Sequence, residues 1–314
     1  MKNKPSSLLF LLLTAIIWGF AFVAQVSGGA HLGIFYYNGI RFTLGAASLI
    51  PVILIFERSE KGKNKITYLA GIVAGVILFT ASNLQQWGIN ITGSSGKAGF
   101  LTALYTVLVP ILSSIFLKKR TGRNTWFGAI LALVGLFLIL SGSMSSSDTP
   151  FFSAVLSLAI GNSRFSGGLT VGFGDIVLLL CAVAFAIHIL FIDYFNSSIK
   201  PLRFSCAQFF TVGFLSLIIA FFTETVSADA VQAALIPLLY GGLMSTGVAY
   251  TLQTIGQRGV HPTVSAIILS TESMFAAIGG ALLLNERMTT AGYIGCAVIL
   301  CGVILAQLPS GKRS

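Results

Sequence analysis

An all-α membrane protein, ten transmembrane helices built as two inverted five-helix repeats, is the fold class that three observations predict. The chain is 55% hydrophobic and only 9% charged, with a mean hydropathy of +0.90, which a water-soluble core of this size does not require. Its apolar residues fall into ten runs close to the roughly 20 residues that cross a bilayer core of about 30 Å. Residues 8–138 and 175–305 align without a gap at an offset of 167, and the pairs identical across it include Leu11/Leu178, Phe42/Phe209, Glu57/Glu224, Gly75/Gly242, Gln86/Gln253, Gly128/Gly295 and Gly135/Gly302.

Taken in order, the spans fall at about 7–26, 33–56, 67–89, 97–117, 125–141, 175–194, 204–222, 231–254, 262–284 and 290–307. The runs are long and continuous rather than alternating, so they read as helices and not barrel strands. Span 1 follows Lys2 and Lys4 as a signal peptide would, yet its apolar run is too long and recurs as span 6, so it is expected to be retained. Pro110 in span 4 and Pro237 in span 8 each remove a backbone donor and favour a bend. Gly128/Gly135 in span 5 and Gly295/Gly302 in span 10 are spaced seven apart, leaving one face of each helix free for close packing within the chain or in a dimer. Span 6 opens at Asp175, placed to cap free backbone N–H groups, and span 9 opens at Pro262 in the usual first position of a helix. Residues 142–173 form the one long connection, an expected external linker between a first repeat at 1–141 and a second at 174–314.

The formal charge of +10 is distributed along the chain in a way that points to a membrane rather than to nucleic acid. With the N-terminus inside the cell, fifteen of the nineteen Lys and Arg residues fall on the cytoplasmic side; Lys97, Arg164 and Arg287 lie outside and Arg41 within a span. The positive-inside rule then sets both termini in the cytoplasm of a multi-pass plasma-membrane protein. A five-span unit has an odd number of crossings, so its second copy enters from the opposite side. The loops follow: the segment 57–65 is basic and its counterpart 224–230 acidic. Inverted repeats place a binding site near the midplane, between the halves.

At this point the chain resembles the drug/metabolite transporter superfamily, EamA type, over nearly its whole length. The resemblance is carried by Ala-Ile-Ile-Trp-Gly-Phe at 15–20, Arg41 followed by small residues, Tyr-Thr-Leu-Gln at 250–253, and Glu272 through Leu-Leu-Leu-Asn-Glu-Arg at 282–287, then Gly295 and Gly302. Ser273 stands where family members commonly have Pro. The resemblance implies a ten-helix carrier, both termini cytoplasmic, that moves small metabolites or amphipathic compounds, often outward. It implies no particular solute.

Helical spacing places polar side chains of spans 1, 3, 4, 6, 8 and 9 on stripes that pair across the repeat, and these six spans are expected to line the pathway. The pseudo-two-fold axis sets Tyr105 and Glu272 across one cavity. Glu272 near mid-span costs about 2.5–3.5 kcal/mol to insert; it either faces a wet cavity to bind an amine or titrate a coupling proton, or stays protonated against a neighbouring backbone. Arg41 pairs with Glu272, holds an anionic solute group, or snorkels to the headgroups. His188 suits a proton relay or a packing hydrogen bond. Gln86 and Gln253 offer buried amides to a solute or to a neighbouring helix. Trp18, Tyr105 and Tyr250 provide apolar walls with polar tips, or pack in the core. Glu57, Glu224 and Asp193 lie at membrane ends, where interfacial solvation accounts for them.

No catalytic constellation, metal spacing or cofactor motif is read: Cys181, Cys206, Cys296 and Cys301 match no metal site and are expected to be reduced packing thiols, and no Walker-type loop is present. Three scattered His and one central Glu do not supply the clustered groups of a membrane-embedded enzyme. The remaining classes are a secondary carrier, with a passive facilitator, exchanger or channel as the alternative. Its partners are a small-molecule solute, the bilayer and, for a coupled carrier, protons, with no nucleic acid; the chain acts as a monomer or weak homodimer.

Overall fold

The computed structural model describes residues 5–57, 64–119, 121–143, 172–284 and 289–308. Among these residues all regular structure is helical, in ten long units, Pro5–Gly29, Ile34–Phe56, Asn64–Thr92, Ser95–Phe116, Arg123–Ser143, Phe173–Phe195, Pro201–Thr223, Leu235–Gly256, Pro262–Leu283 and Thr290–Gln307, and one short helix, Ala228–Ala233, that leads into the eighth. Nine are long and apolar enough to cross a membrane; the fifth has a shorter apolar described stretch, Arg123–Ile139. Residues 144–171 of the connecting segment, several of the basic residues that set the topology, and Asn285–Met288 within the resemblance motif lie outside the described residues.

The chain's surface is apolar and its interior is partly polar. Phe116, Phe222 and Ile236 are exposed, whereas Asn38, Ser82, Gln86, Gln208 and Ser265 are fully buried. Such a distribution suits lipid as solvent, since an exposed apolar side chain costs nothing there and an unpaired polar one costs several kcal/mol.

Helix contacts recur with the repeats exchanged. Span 3 packs on spans 6 and 7, and span 8 on spans 1 and 2; span 4 packs on span 6, and span 9 on span 1. Spans 5 and 10 pack on each other, where a Cβ on Gly128 would stand 2.6 Å from the Gly302 carbonyl oxygen and one on Gly135 2.5 Å from that of Gly295. The glycine faces therefore serve a contact inside the chain, not one between copies.

Spans 2 and 7 are tied at both ends by carboxylates, in a relation that interfacial solvation does not describe. Glu57, just past the end of span 2, accepts from the backbone N–H of Leu202 (3.1 Å) and Arg203 (3.3 Å) at the start of span 7. Glu224, just past the end of span 7, accepts from Phe35 (3.0 Å) and Tyr36 (2.8 Å) at the start of span 2. Every partner in one set is the 167-offset equivalent of its partner in the other. Each carboxylate thus satisfies two of the four orphan N–H groups at a helix start and meets the positive end of its dipole. Asp193 is likewise paired, its Oδ2 2.6 Å from Lys119 Nζ. Asp175 accepts from the Gly172 N–H as a cap and also pairs with Lys97 at 3.0 Å.

Three spans depart from a continuous α-helix, and in spans 4 and 8 the departure does not sit at Pro110 or Pro237. Span 4 breaks at Leu104 and span 9 at Ser270–Thr271, again at equivalent positions. In span 9 the cause is local: the Ser270 and Thr271 hydroxyls donate to the carbonyls of Ile267 (2.8 Å) and Ile268 (2.7 Å), competing with the helical ladder and bending it without proline. Ser273 instead donates across to the Gly99 carbonyl at 2.7 Å. Span 8 contains a π-helical stretch, Tyr240–Tyr250, in which the Thr246 hydroxyl donates to Gly241 O, five residues back, at 2.8 Å. Wider turns there rotate the following residues away from the face that an α-helix would give them.

Candidate functional site

Between the repeats lies a partly open chamber, with about 410 Å³ of empty space in and around it that includes the solvent at its mouth. All six spans that the stripes select contribute to its wall, and span 2 adds Arg41. Of the eight residues singled out in the sequence, the structure brings Trp18, Arg41, Tyr105, Tyr250, Gln253 and Glu272 together at this wall, and leaves Gln86 and His188 behind it.

Tyr105 and Glu272 are each the first residue after the break in their span, and they meet as repeat symmetry requires. The Tyr105 hydroxyl donates to Glu272 Oε1 at 3.0 Å, with both side chains buried. Glu272 so placed also faces the N-terminal turn of its own half-helix, where a negative charge is favoured. Broken helices of this kind expose chain ends to a solute site at the bilayer midplane.

The aromatic wall centres on Tyr250, whose ring lies 4.5 Å from Trp18 and 5.9 Å from Phe42, measured between centroids. Trp18 spends its indole N–H on the Ser245 carbonyl (3.2 Å), inside the π-helical stretch, and presents only its apolar surface. Behind Tyr250 sits His188, fully buried, its Nε2 3.0 Å from Gln208 Oε1 and its ring edge-on to Tyr250.

The two glutamines separate. Gln86 donates to the Gln25 carbonyl (3.0 Å) and to Asn90 Oδ1 (2.8 Å), an interhelical bond that keeps it out of the chamber. Its equivalent Gln253 follows the π-helical stretch, lines the chamber, and keeps its buried Oε1 without a partner. In the first repeat the neighbouring Gln85 reaches the chamber instead. No feature of the sequence marks Gln85, because its equivalent is the apolar Leu252. Gln25, seven residues after Trp18, and Thr102, three before Tyr105, share their helix faces and also line the wall.

The four cysteines are free thiols, and among the described residues no cluster of His, Cys, Asp or Glu could hold a metal ion.

A multi-span helical bundle with a polar chamber between two equivalent halves defines a membrane transporter of small molecules. The chain belongs to the EamA-like transporter family, whose model matches residues 5–141 and again 172–308; the two matches stand 167 residues apart, the offset of the repeat itself. An uncharacterized transporter of Archaeoglobus fulgidus is 29% identical over 95% of this chain and 84% of the relative. The glucose uptake protein GlcU of Staphylococcus xylosus is 24% identical over 96% of each chain. A solved crystal structure at 17% identity matches with a TM-score of 0.74 over 97% of both chains, a likeness of fold.

Proposed function

We propose that the protein is a secondary carrier in the cytoplasmic membrane, with both termini inside, that moves a small metabolite or amphipathic compound outward by alternating access, coupled to a proton on Glu272. Residues 1–141 and 174–314 act as the two halves, and 142–173 as the external connection. The observation that carries this reading is the Tyr105–Glu272 bond in a chamber walled by both repeats. A lone carboxyl at that depth is costly to insert, and Tyr105 offers it a donor that a carboxylate keeps and a carboxylic acid can release. Inverted halves around one central site allow that site to open to either side in turn.

Reconstituted in proteoliposomes, the protein should show saturable uptake and accelerated counterflow, with flux that responds to a pH gradient. A channel gives no accelerated exchange. A screen of amino acids, nucleosides, sugars and cationic drugs by thermal stabilisation in detergent identifies the solute, since ligand binding raises apparent stability. Glu272→Gln should fold, bind and exchange solute, yet lose the response to the pH gradient. Unchanged pH-driven accumulation in that variant removes Glu272 from the coupling, and counterflow without any pH response in the wild type makes the protein an exchanger or facilitator.

A further inference from the structure

Arg41 is 1% exposed, yet it lines the chamber, and among the described residues no Asp or Glu pairs with it. Its Nε donates to Asn38 Oδ1 at 2.8 Å. The Asn38 amide is itself fixed, donating to the Ser82 carbonyl and to Asn83 Oδ1, each at 3.0 Å. The guanidinium carbon lies 4.7 Å from the Phe42 ring centroid and 5.5 Å from that of Tyr37, so aromatic faces hold its plane. One terminal nitrogen, Nη2, is buried with no partner.

A guanidinium does not shed its charge, and a buried cation without a counter-charge is strongly unfavourable. Snorkelling does not relieve it here, because the side chain is held inward by Asn38 and two rings. Nor does the fold need a cation at this position. The equivalent residue in the second repeat is Gln208, equally buried and neutral, which bonds His188. The charge is therefore particular to one repeat and to the side that reaches the chamber.

We propose that Arg41 is an anion subsite, and that the solute is a monocarboxylate with a small apolar body; this rests on the carrier reading above. The fork of a guanidinium matches a carboxylate with two parallel N–H groups. One cation balances one negative charge, and Glu272 in the same wall disfavours a second. Trp18, Phe185 and Tyr250 present the apolar surface on which the body would rest.

Three probes sharing one body and differing in head group test this: 3-phenylpropionate, 3-phenylpropanol and 3-phenylpropylamine, measured by thermal shift on the purified full chain in detergent. The carboxylate should stabilise the wild type most. In Arg41→Gln its affinity should fall on the order of 100-fold, as for other buried charge pairs cut on one side, while the alcohol binds as before. The ligand-free variant should be at least as stable as the wild type, because an uncompensated charge has been removed. Preference for the amine or alcohol, no response to any probe, equal carboxylate affinity in the variant, or an Arg41→Gln protein that is less stable without ligand would each overturn the inference. Accelerated counterflow of any solute in the wild type would leave the carrier reading standing in all of those cases, so the two failures are separable.

Discussion

Removing the reciprocal caps of spans 2 and 7 should lower stability in comparable and additive steps, somewhat more at Glu57, which also pairs with Arg203 at 3.6 Å. Each of Glu57 and Glu224 accepts two backbone N–H groups at the start of the other repeat's helix. Losing a helix cap costs about 0.5–2 kcal/mol, and the favourable meeting of a carboxylate with the helix dipole adds about 0.3–1 kcal/mol, so Glu→Ala at either site should cost about 1–3 kcal/mol. Glutamine retains one carbonyl acceptor of the two oxygens, so Glu→Gln should cost roughly half as much. Span 2 has 23 residues, which at about 1.5 Å per residue separates the two caps by roughly 35 Å; at that distance the double variant should lose the sum of the singles to within about 0.5 kcal/mol. Gly33→Ala should behave like Glu224→Ala, because a Cβ there would collide with the Glu224 carboxylate and push it off the N–H groups. Equilibrium denaturation in a single detergent, read as the free energy of unfolding, measures the wild type and each variant. Alanine variants within about 0.3 kcal/mol of the wild type, or a double variant no worse than either single, would refute the claim that these carboxylates clamp the repeats together.

Three other outcomes are expected. Gly135→Ala should cost about 1–3 kcal/mol by forcing spans 5 and 10 apart, since its Cβ would meet the Gly295 carbonyl at 2.5 Å; the same denaturation curves read it, and a change below about 0.3 kcal/mol would contradict the close packing. Tyr105→Phe should leave folding intact but alter the pH profile of counterflow, because Glu272 loses its hydroxyl donor; an unchanged profile separates the tyrosine from the coupling. His261, in the loop before span 9, caps that helix by accepting from the Thr263 N–H through Nδ1, and burial, followed by the neighbouring Lys119 ammonium, holds its pKa below the usual 6.5 against a smaller opposing pull from Asp193. The unfolded chain therefore binds this proton more readily, so the histidine's contribution is present above about pH 6.5 and is lost as the pH falls through the lower folded value. His261→Asn, which keeps a capping acceptor, should flatten that acid-side loss of melting temperature, and a parallel loss in both proteins would exclude His261 as its source.

Much of this architecture is legible in the sequence because a bilayer leaves the backbone few choices. Within it every N–H and C=O must be satisfied inside the helix, so apolar length alone locates the ten spans, and the 167-residue offset locates the symmetry. The offset is enough to foresee that Tyr105 and Glu272 face each other, since equivalent residues of antiparallel halves meet at the axis between them. The same offset puts Glu57 and Glu224 in register, but their partners lie 145 to 189 residues away in sequence, and only the packing of span 2 on span 7 shows that they cap helices rather than rest in the interface.

What the sequence could not decide is where helices deviate from a uniform α-turn. A stripe argument assumes constant rotation per residue, which the π-helical turns of Tyr240–Tyr250 violate, and it does not say how far each helix is turned about its own axis. Gln253, beyond those turns, reaches the chamber, whereas in the unbroken α-helix of span 3 Gln86 bonds the Gln25 carbonyl and the unmarked Gln85 stands at the wall in its place. Arg41 is a similar case: its charge is evident from the sequence, but that it is held inward by Asn38 and two aromatic rings, with one N–H unsatisfied, follows from contacts that only the folded chain makes. Hydropathy and repeat periodicity are local or translational properties of a chain, whereas the direction in which a polar side chain finally points depends on the sum of small helical irregularities before it and on the neighbours they bring into reach.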